Sequence, residues 1–425
     1  MNQNKPNLDL RLNSLPKSVT HLYLAFSGGL DSCVLLHALI AFRESYRITL
    51  WHINHGLQSN AQDMQQLAVD LAQKYNLELR LDQLDLTENT GNLEERARHL
   101  RYKLFSECLQ ESDALLTAHH MNDQAETLIL NLMRGSGPSG LRAISFQNEL
   151  GQGHLFRPLL DASREKIKHY AEAHQLFWIE DPSNLDTRFD RNFLRHDILP
   201  IILSRWPATI TQLHRVSELQ NEAESLNADL AKIDLVSVGA NSRYSSCLVL
   251  SIRDMQQLSS ARQRNLIRYW LGQYSVKPVG YKKLHELVRQ MKPQSSQALS
   301  MEGRGYLIKS YQGRLYLLLQ HDQTIKLNSL YTLHEDAVLK LREIKFSETR
   351  ESVLNYLKRE DKGQKVSIRF RQKAPLPVEN QHSHTLKRLF QKNEVPPWIR
   401  PICPQILVDG ELVDLLIRDD YSAGS

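Results

Sequence analysis

The sequence predicts an α/β protein. Its N-terminal domain is read as a parallel sheet with helices on both faces. A mixed helical middle domain and a small α+β C-terminal domain follow. Three observations carry this. Through the first half, short apolar runs alternate with longer segments of helical period. The polar segments SGGLDS, HINHGLQ and AHHMND each follow directly on such a run, where ligands of parallel sheets bind. Finally, 425 residues exceed what one ordinary core holds. We place the domains at 1–215, 216–330 and 331–425.

The elements follow in order. HLYLAF (21–26) is the first strand, with a helix from Ser32 to Phe42. RITLWHI (47–53) is the second, with a helix over 60–75, and LELRLD (77–82) the third, before a charged helix over 92–110. DALLTAHH (113–120) is the fourth, leading to a helix from Asp123 to Met133. RGSGPSG (134–140) is a turn-rich loop. HLFRPLL (154–160) reads as a short edge element, and a helix follows Ser163. A helical register from Arg195, interrupted at Pro200 and Pro207, continues to about Ala231. Beyond it come a strand at CLVLS, helices over 259–271 and 280–291, and a hairpin over 306–319 turning at Gln312-Gly313.

Composition excludes several classes. No apolar stretch approaches the roughly 18 residues of a bilayer span, and the N-terminus lacks a signal-peptide core. Cysteines 33, 108, 247 and 403 are too scattered for a disulfide framework or a thiolate metal site. The expectation is a reducing, cytoplasmic setting without a membrane partner. Net charge is +5, from 53 Lys and Arg against 48 Asp and Glu. Between Lys362 and Arg400, nine Lys or Arg face two Glu, a local +7 suited to nucleic-acid phosphates.

Ser27-Gly28-Gly29-Leu30-Asp31-Ser32 joins the first strand to a helix. Paired glycines allow a tight turn, the helix N-terminus favours anions, and Ser27 and Ser32 add hydroxyl donors. This is a phosphate cradle, yet neither GxxxxGK[ST] nor GxGxxG is present. Asp31 would repel bare phosphate, so it suits Mg²⁺ carried by a pyrophosphate group.

These residues resemble the PP-loop ATP pyrophosphatase superfamily, marked by SGGxDS after the first strand. Further motifs narrow the resemblance to the tRNA(Ile)-lysidine synthase family. They are His52-Ile53-Asn54-His55-Gly56-Leu57, Glu95-Arg96-Ala97-Arg98 with Arg101-Tyr102, and His119-His120 before Asp123-Gln124-Ala125-Glu126-Thr127. Arg134-Gly135-Ser136-Gly137, Arg157-Pro158-Leu159, Asp181-Pro182-Ser183-Asn184, Arg191-Asn192 with Arg195, and LKRLFQKNEVPPWIRPICP (386–404) continue it. Where that family usually has two adjacent acids, this chain has Asn122 then Asp123.

The resemblance implies ATP and Mg²⁺ as cofactors, and free L-lysine and tRNA(Ile) with a CAU anticodon as substrates. The implied reaction adenylates the wobble cytidine and joins lysine to its C2, with pyrophosphate and AMP released. A homodimer is compatible with it. Ser27, Gly28, Gly29, Leu30, Asp31, Ser32, His52 and His55 are the nucleotide candidates, and Asp31 and Asp123 the metal candidates. Asp31, Asp123, Glu126, His119 and His120 are the catalytic candidates. Adjacent histidines on a strand would point apart, so one of the two reaches the pocket, and which one is open. Asp123 or Glu126 would take the lysine ammonium. Arg96, Arg98, Arg101, Arg191, Arg195, Lys387, Arg388 and Trp398 are the tRNA candidates. A base thiolase fed by a partner, and a silent nucleotide-regulated RNA-binding module, are the alternatives.

Overall fold

The structure is a computed structural model. It describes residues 6–54, 60–84, 93–240, 247–277, 279–291, 299–319, 339–340, 366–369, 381–400, 403 and 405–415. The chain forms two compact units, Met1–Ser225 and Leu226–Ser425.

The first unit is built on six strands: β1 (His21–Phe26), β2 (Arg47–Asn54), β3 (Glu78–Gln83), β4 (Asp113–Leu116), β5 (Gln147–Leu150) and β6 (Gly153–Phe156). Their order is β3-β2-β1-β4-β6-β5. All neighbours are parallel except β5 on β6, so the expected parallel sheet carries one antiparallel edge. QNEL gives no sign of β5, because an exposed edge strand needs no apolar alternation.

Side-chain alternation sends the central strands into two cores. Leu22, Leu24, Phe26, Ile48 and Leu50 pack with helices α1 (Leu30–Leu39) and α2 (Ala61–Tyr75). Trp51, Ile53, Leu115 and Leu155 pack on the other face with Phe105 of α3 (Leu93–Cys108). That two-sided burial explains why β1, β2 and β4 read as nearly unbroken apolar runs.

The fourth strand stops at Leu116, earlier than expected, and α4 (Met121–Met133) starts two residues before Asp123. His119 and His120 therefore lie off the strand, and strand alternation does not force them apart. Helix α5 (Arg164–Ala173) is capped by Ser163, whose hydroxyl accepts from the Lys166 amide at 3.2 Å. After a one-turn helix, Asp190–Phe193, residues Leu194–Ile198 form a π-helical turn in which the Leu199 amide reaches back to Leu194 O. Pro200 does not end the register. It sits in the first turn of α6 (Leu199–Arg205), where its missing N–H costs nothing. Helix α7 (Thr209–Val238) then runs for 30 residues.

In the second unit, β7 (Gly239–Ala240), β8 (Val249–Ser251), β9 (Ser300–Gly303), β10 (Tyr306–Tyr311) and β11 (Arg314–Leu319) form a sheet ordered β7-β8-β11-β10-β9. Helices α8 (Ser260–Gly272) and α9 (Tyr281–Gln290) share its core through Leu266, Trp270, Leu284 and Leu287. The β10–β11 turn has φ of 45° at Gln312 and 72° at Gly313, the paired left-handed turn that the sequence signals. A second sheet, β12 (Leu339–Lys340), β13 (Val366–Arg369), β14 (Gln405–Val408) and β15 (Glu411–Leu415), accompanies α10 (Gln381–Lys392). Its core holds Leu389, Phe390, Val395 and Leu412.

The β5–β6 turn closes against α3. Gly151 has φ +63°, and a Cβ there would lie 2.0 Å from Ser106 O. Gly151→Ala should therefore destabilise the first unit by about 2 kcal/mol or more, combining backbone strain with a clash against unyielding main chain. Chemical denaturation checks this, and an unchanged midpoint would remove the constraint.

Candidate active site

Three segments meet at the carboxyl ends of the strands. In the first, β1 ends at Phe26 and α1 begins at Leu30 behind the extended cap Gly29. Gly28 has φ +85°, and a Cβ would sit 3.2 Å from Met64 Cγ, so only glycine fits without strain. Ser27 Oγ lies 3.1 Å from Ser32 Oγ, and the Ser32 hydroxyl donates to Gly29 O at 2.9 Å. The Leu30 side chain packs against the core, which leaves its backbone for any ligand. First-turn amides of α1 lack intrahelical acceptors and supply the positive end of the cradle.

Asp31 follows. Its Oδ2 lies 3.7 Å from His120 Nε2, while Oδ1 is buried with no hydrogen-bond partner. Burial pushes its carboxyl above the usual range and Asp123 adds to this, against the opposing fields of His120, Arg164 and Arg195.

The second segment is the start of α4. His120 caps the helix: its Nδ1 accepts from the amides of Asn122 at 3.2 Å and Asp123 at 3.4 Å. The Asp123 carboxylate returns the bond, accepting the His120 amide at 2.9 Å. With Nδ1 accepting, Nε2 carries the proton, and it stands 3.6 Å from Asp123 and 3.7 Å from Asp31. His119 lies beside it with Nδ1 2.9 Å from Thr117 Oγ1. Desolvation holds its imidazolium down at about 3, helped by Arg157, Arg191 and Arg98 and only partly opposed by Asp123. His119 is thus neutral near pH 7.

The third segment is the bend after Asp181. Arg191 donates to Glu126 Oε2 through Nε at 2.7 Å and to Asp123 Oδ1 at 2.9 Å. Arg195 donates to Glu126 Oε1 at 2.7 Å and Oε2 at 3.0 Å, and to Asp123 Oδ1 at 3.3 Å. The Glu126 side chain is 1% exposed. Burial alone would raise the Asp123 carboxyl. His120, Arg191, His119 and the His120 amide outweigh it and bring it to about 2. Breaking a buried set of this kind by removing one partner costs about 3–5 kcal/mol.

This geometry revises several expectations. Glu126 is satisfied by two guanidiniums and is not open to an ammonium. Arg191 and Arg195 spend their charge on Asp123 and Glu126, not on an exposed surface. Asp123 already accepts from the His120 amide and both arginines, so it suits a metal less than Asp31 does.

His52, 4% exposed at the end of β2, lies 3.0 Å through Nδ1 from Phe26 O, and its Nε2 has no partner. His55 falls outside the described residues. Arg98 is exposed on α3 over the Tyr102 ring at 5.1 Å and reaches His119 electrostatically; Arg96 and Arg101 are half-buried. Lys387 and Arg388 are exposed on α10. Trp398 instead packs on Tyr316 and Tyr311 of the middle sheet, with ring centroids 5.5 and 6.1 Å away. Much of the +7 segment lies outside the described residues.

Three residues that the sequence motifs contain, but to which sequence reasoning gives no role, shape the site. Asn122 Oδ1 accepts the Arg164 amide at 3.0 Å. Gln124 brackets the 142–144 loop through Ile144 N at 2.6 Å and Ile144 O at 2.9 Å. Arg157 is 7% exposed, donating to Ser145 O and to Asn148 Oδ1 at 2.9 Å. The signal for Arg157 is present in the sequence: an arginine at a strand's carboxyl end next to proline.

A phosphate cradle after the first strand of a doubly covered sheet, with carboxylates converging on it, defines a PP-loop ATP-binding enzyme. Accordingly, the family model described as PP-loop domain matches residues 4–202. Models described as TilS substrate binding domain and TilS substrate C-terminal domain match 250–316 and 366–415. The chain is 35% identical over 403 residues to a tRNA(Ile)-lysidine synthase of Serratia proteamaculans (strain 568), covering 93% of this chain and 90% of that protein. A second, from Coxiella burnetii, is 33% identical over 409 residues, with 93% and 88% covered. The chain belongs to the tRNA(Ile)-lysidine synthase family. Its general activity is ATP-dependent formation of lysidine at the wobble cytidine. Among solved structures, the U34-tRNA thiolase NcsA from Methanococcus maripaludis overlaps 49% of this chain and 76% of that one at 18% identity, with a TM-score of 0.42.

The depressed His119 value has a consequence for acid stability. Its folded pKa lies below the unfolded value of 6.5, so the unfolded state takes up the proton first. The resulting stability is present above about 6.5 and lost as pH falls towards about 3. His119→Gln should flatten the decline of the unfolding midpoint over that window. An unchanged slope would show that the site tolerates the charged ring.

Proposed function

We propose that the chain adenylates cytidine O2 of tRNA(Ile) bearing a CAU anticodon and then displaces AMP with free L-lysine, using the three segments above. The observation that carries this is the Asp123–Glu126–Arg191–Arg195 cluster beside the phosphate loop. The two guanidiniums keep Asp123 anionic, which suits the ammonium of an amino acid, and the loop suits the nucleotide. Domains 1–215, 216–330 and 331–425 serve as catalytic, middle and tRNA-binding regions.

In the first step, O2 attacks the α-phosphorus and pyrophosphate leaves. The α1 amides, Ser27 and Ser32 stabilise the charge that builds on it. Asp31, with an unpartnered buried oxygen and a carboxyl that burial disfavours as an anion, fits a bound Mg²⁺. Mg²⁺ held there would neutralise phosphate charge. In the second step, the lysine ε-amine attacks C2, and the former O2 departs on AMP.

Asp123, whose Oδ2 accepts the His120 amide and no guanidinium, receives the ammonium, and Arg191 and Arg195 hold that carboxylate and Glu126 in place. His120, whose Nε2 already carries a proton, cannot accept another there while neutral. His119, whose imidazolium is held down at about 3, is too weak a base for an ammonium proton and stays a neutral hydrogen-bonding ring. Arg98, with Arg96 and Arg101, faces the anticodon arm, and Lys387 and Arg388 contact a more distant part of the tRNA. Trp398 holds the C-terminal unit to the middle sheet instead of stacking on a base.

Separating the half-reactions tests these roles. With tRNA and ATP but no lysine, Asp31→Asn should slow adenylation by roughly 10²–10³, the loss expected when one group that stabilises the leaving charge is removed. Asp123→Asn should leave adenylation nearly intact while raising the lysine concentration needed for half-maximal turnover. Normal adenylation in the first variant, or failed adenylation in the second, would reverse the assignment.

A further inference from the structure

We propose that Arg164 is a further substrate-binding residue, whose guanidinium engages the β and γ phosphates of ATP and then the departing pyrophosphate. The inference rests on the reading that the Ser27–Ser32 loop holds the nucleotide's phosphates. Arg164 opens α5, which packs on α1 through Ile167, Tyr170 and Ala171. Past α5, the Ile179 amide donates to Gly28 O in the phosphate loop at 3.0 Å. At the start of α5, the Arg164 amide donates to Asn122 Oδ1 at 3.0 Å, and the Met121 amide donates to Ala162 O at 3.0 Å. The first turns of α4 and α5 are thus tied together beside the loop, which fixes where the Arg164 side chain leaves the backbone. Asn122 thereby acts through its amide oxygen, which holds the neighbouring helix in place.

Charge accounting points the same way. Three arginines act on the carboxyls of Asp31 or Asp123, namely Arg164, Arg191 and Arg195. Arg191 and Arg195 are bonded to Asp123 and Glu126. Arg164 is exposed, and among the described residues no carboxylate pairs with it. It also occupies the first turn of a helix, where the macrodipole disfavours a cation. A polyphosphate in the adjacent loop resolves both defects. Arginine's planar fork can span two phosphate oxygens, which lysine's point charge cannot.

The test measures binding of ATP, inorganic pyrophosphate, AMP and tRNA to the full chain and to Arg164→Ala and Arg164→Lys. Among the described residues the exposed side chain makes no hydrogen bond or ion pair, and the amide bond to Asn122 survives either change. Arg164→Ala should weaken pyrophosphate and ATP about tenfold or more, the loss of a charge-assisted bond, with Arg164→Lys recovering part. AMP and tRNA affinities should not change. Unchanged pyrophosphate binding would make Arg164 a solvated surface cation and overturn the proposal. Weaker tRNA binding with a salt slope reduced by about one, and intact pyrophosphate binding, would overturn it in favour of an RNA phosphate contact. A wild-type chain that binds neither ATP nor pyrophosphate would instead remove the loop reading, and this inference with it.

Discussion

The pairing of Asp123 and Glu126 with Arg191 and Arg195 is the interaction on which the rest of the site depends. It holds α4, which starts the carboxylate segment, to a bend more than sixty residues further along the chain. Nothing in the local propensities of either segment requires them to meet. Desolvating four charges is expensive, and attraction offsets the cost only when geometry is close and each group is multiply bonded. Here Glu126 takes both Nε donors at 2.7 Å, and Asp123 takes a second nitrogen from each arginine. The π-helical turn at Leu194–Ile198 carries Arg195, and insertions of this kind often occur at functional sites.

That pairing also separates the two acids of the centre. Asp123, fed by guanidiniums and a helix-cap amide, is ionised down to about 2. Asp31, buried and with one oxygen unpartnered, is pushed the other way. Carboxylates whose environments drive them apart usually have different roles. In the proposed reaction the first stays anionic beside an ammonium, and the second, buried with an unpartnered oxygen, takes a cation. His120 sits between them, its proton fixed on Nε2 by two backbone donors on Nδ1.

Much of this is legible in the sequence. The alternation of apolar runs and helices marks β1 to β4, and Gly28-Gly29 between Ser27 and Ser32 announces the cradle. The Gln312-Gly313 turn falls where its dipeptide places it. The misreadings have physical reasons. Strand β5 is invisible because an exposed edge is held by its backbone. His119 and His120 read as strand residues because nothing in DALLTAHH marks where pairing stops. Arg191 and Arg195 read as tRNA contacts, since an arginine's partner is legible only once the chain has folded. Trp398 reads as a tRNA contact beside basic residues, yet the rings of Tyr311 and Tyr316 claim it.

The most direct test of the account is the fate of the wobble base. The full chain is incubated with ATP, Mg²⁺, isotopically labelled L-lysine and tRNA(Ile) carrying a CAU anticodon, and the digested nucleosides are weighed. The account predicts that the wobble cytidine gains one lysine with loss of one water, retains the label, and appears in step with equal amounts of AMP and pyrophosphate. AMP released while the base stays cytidine, or gains sulfur in place of lysine, would contradict it.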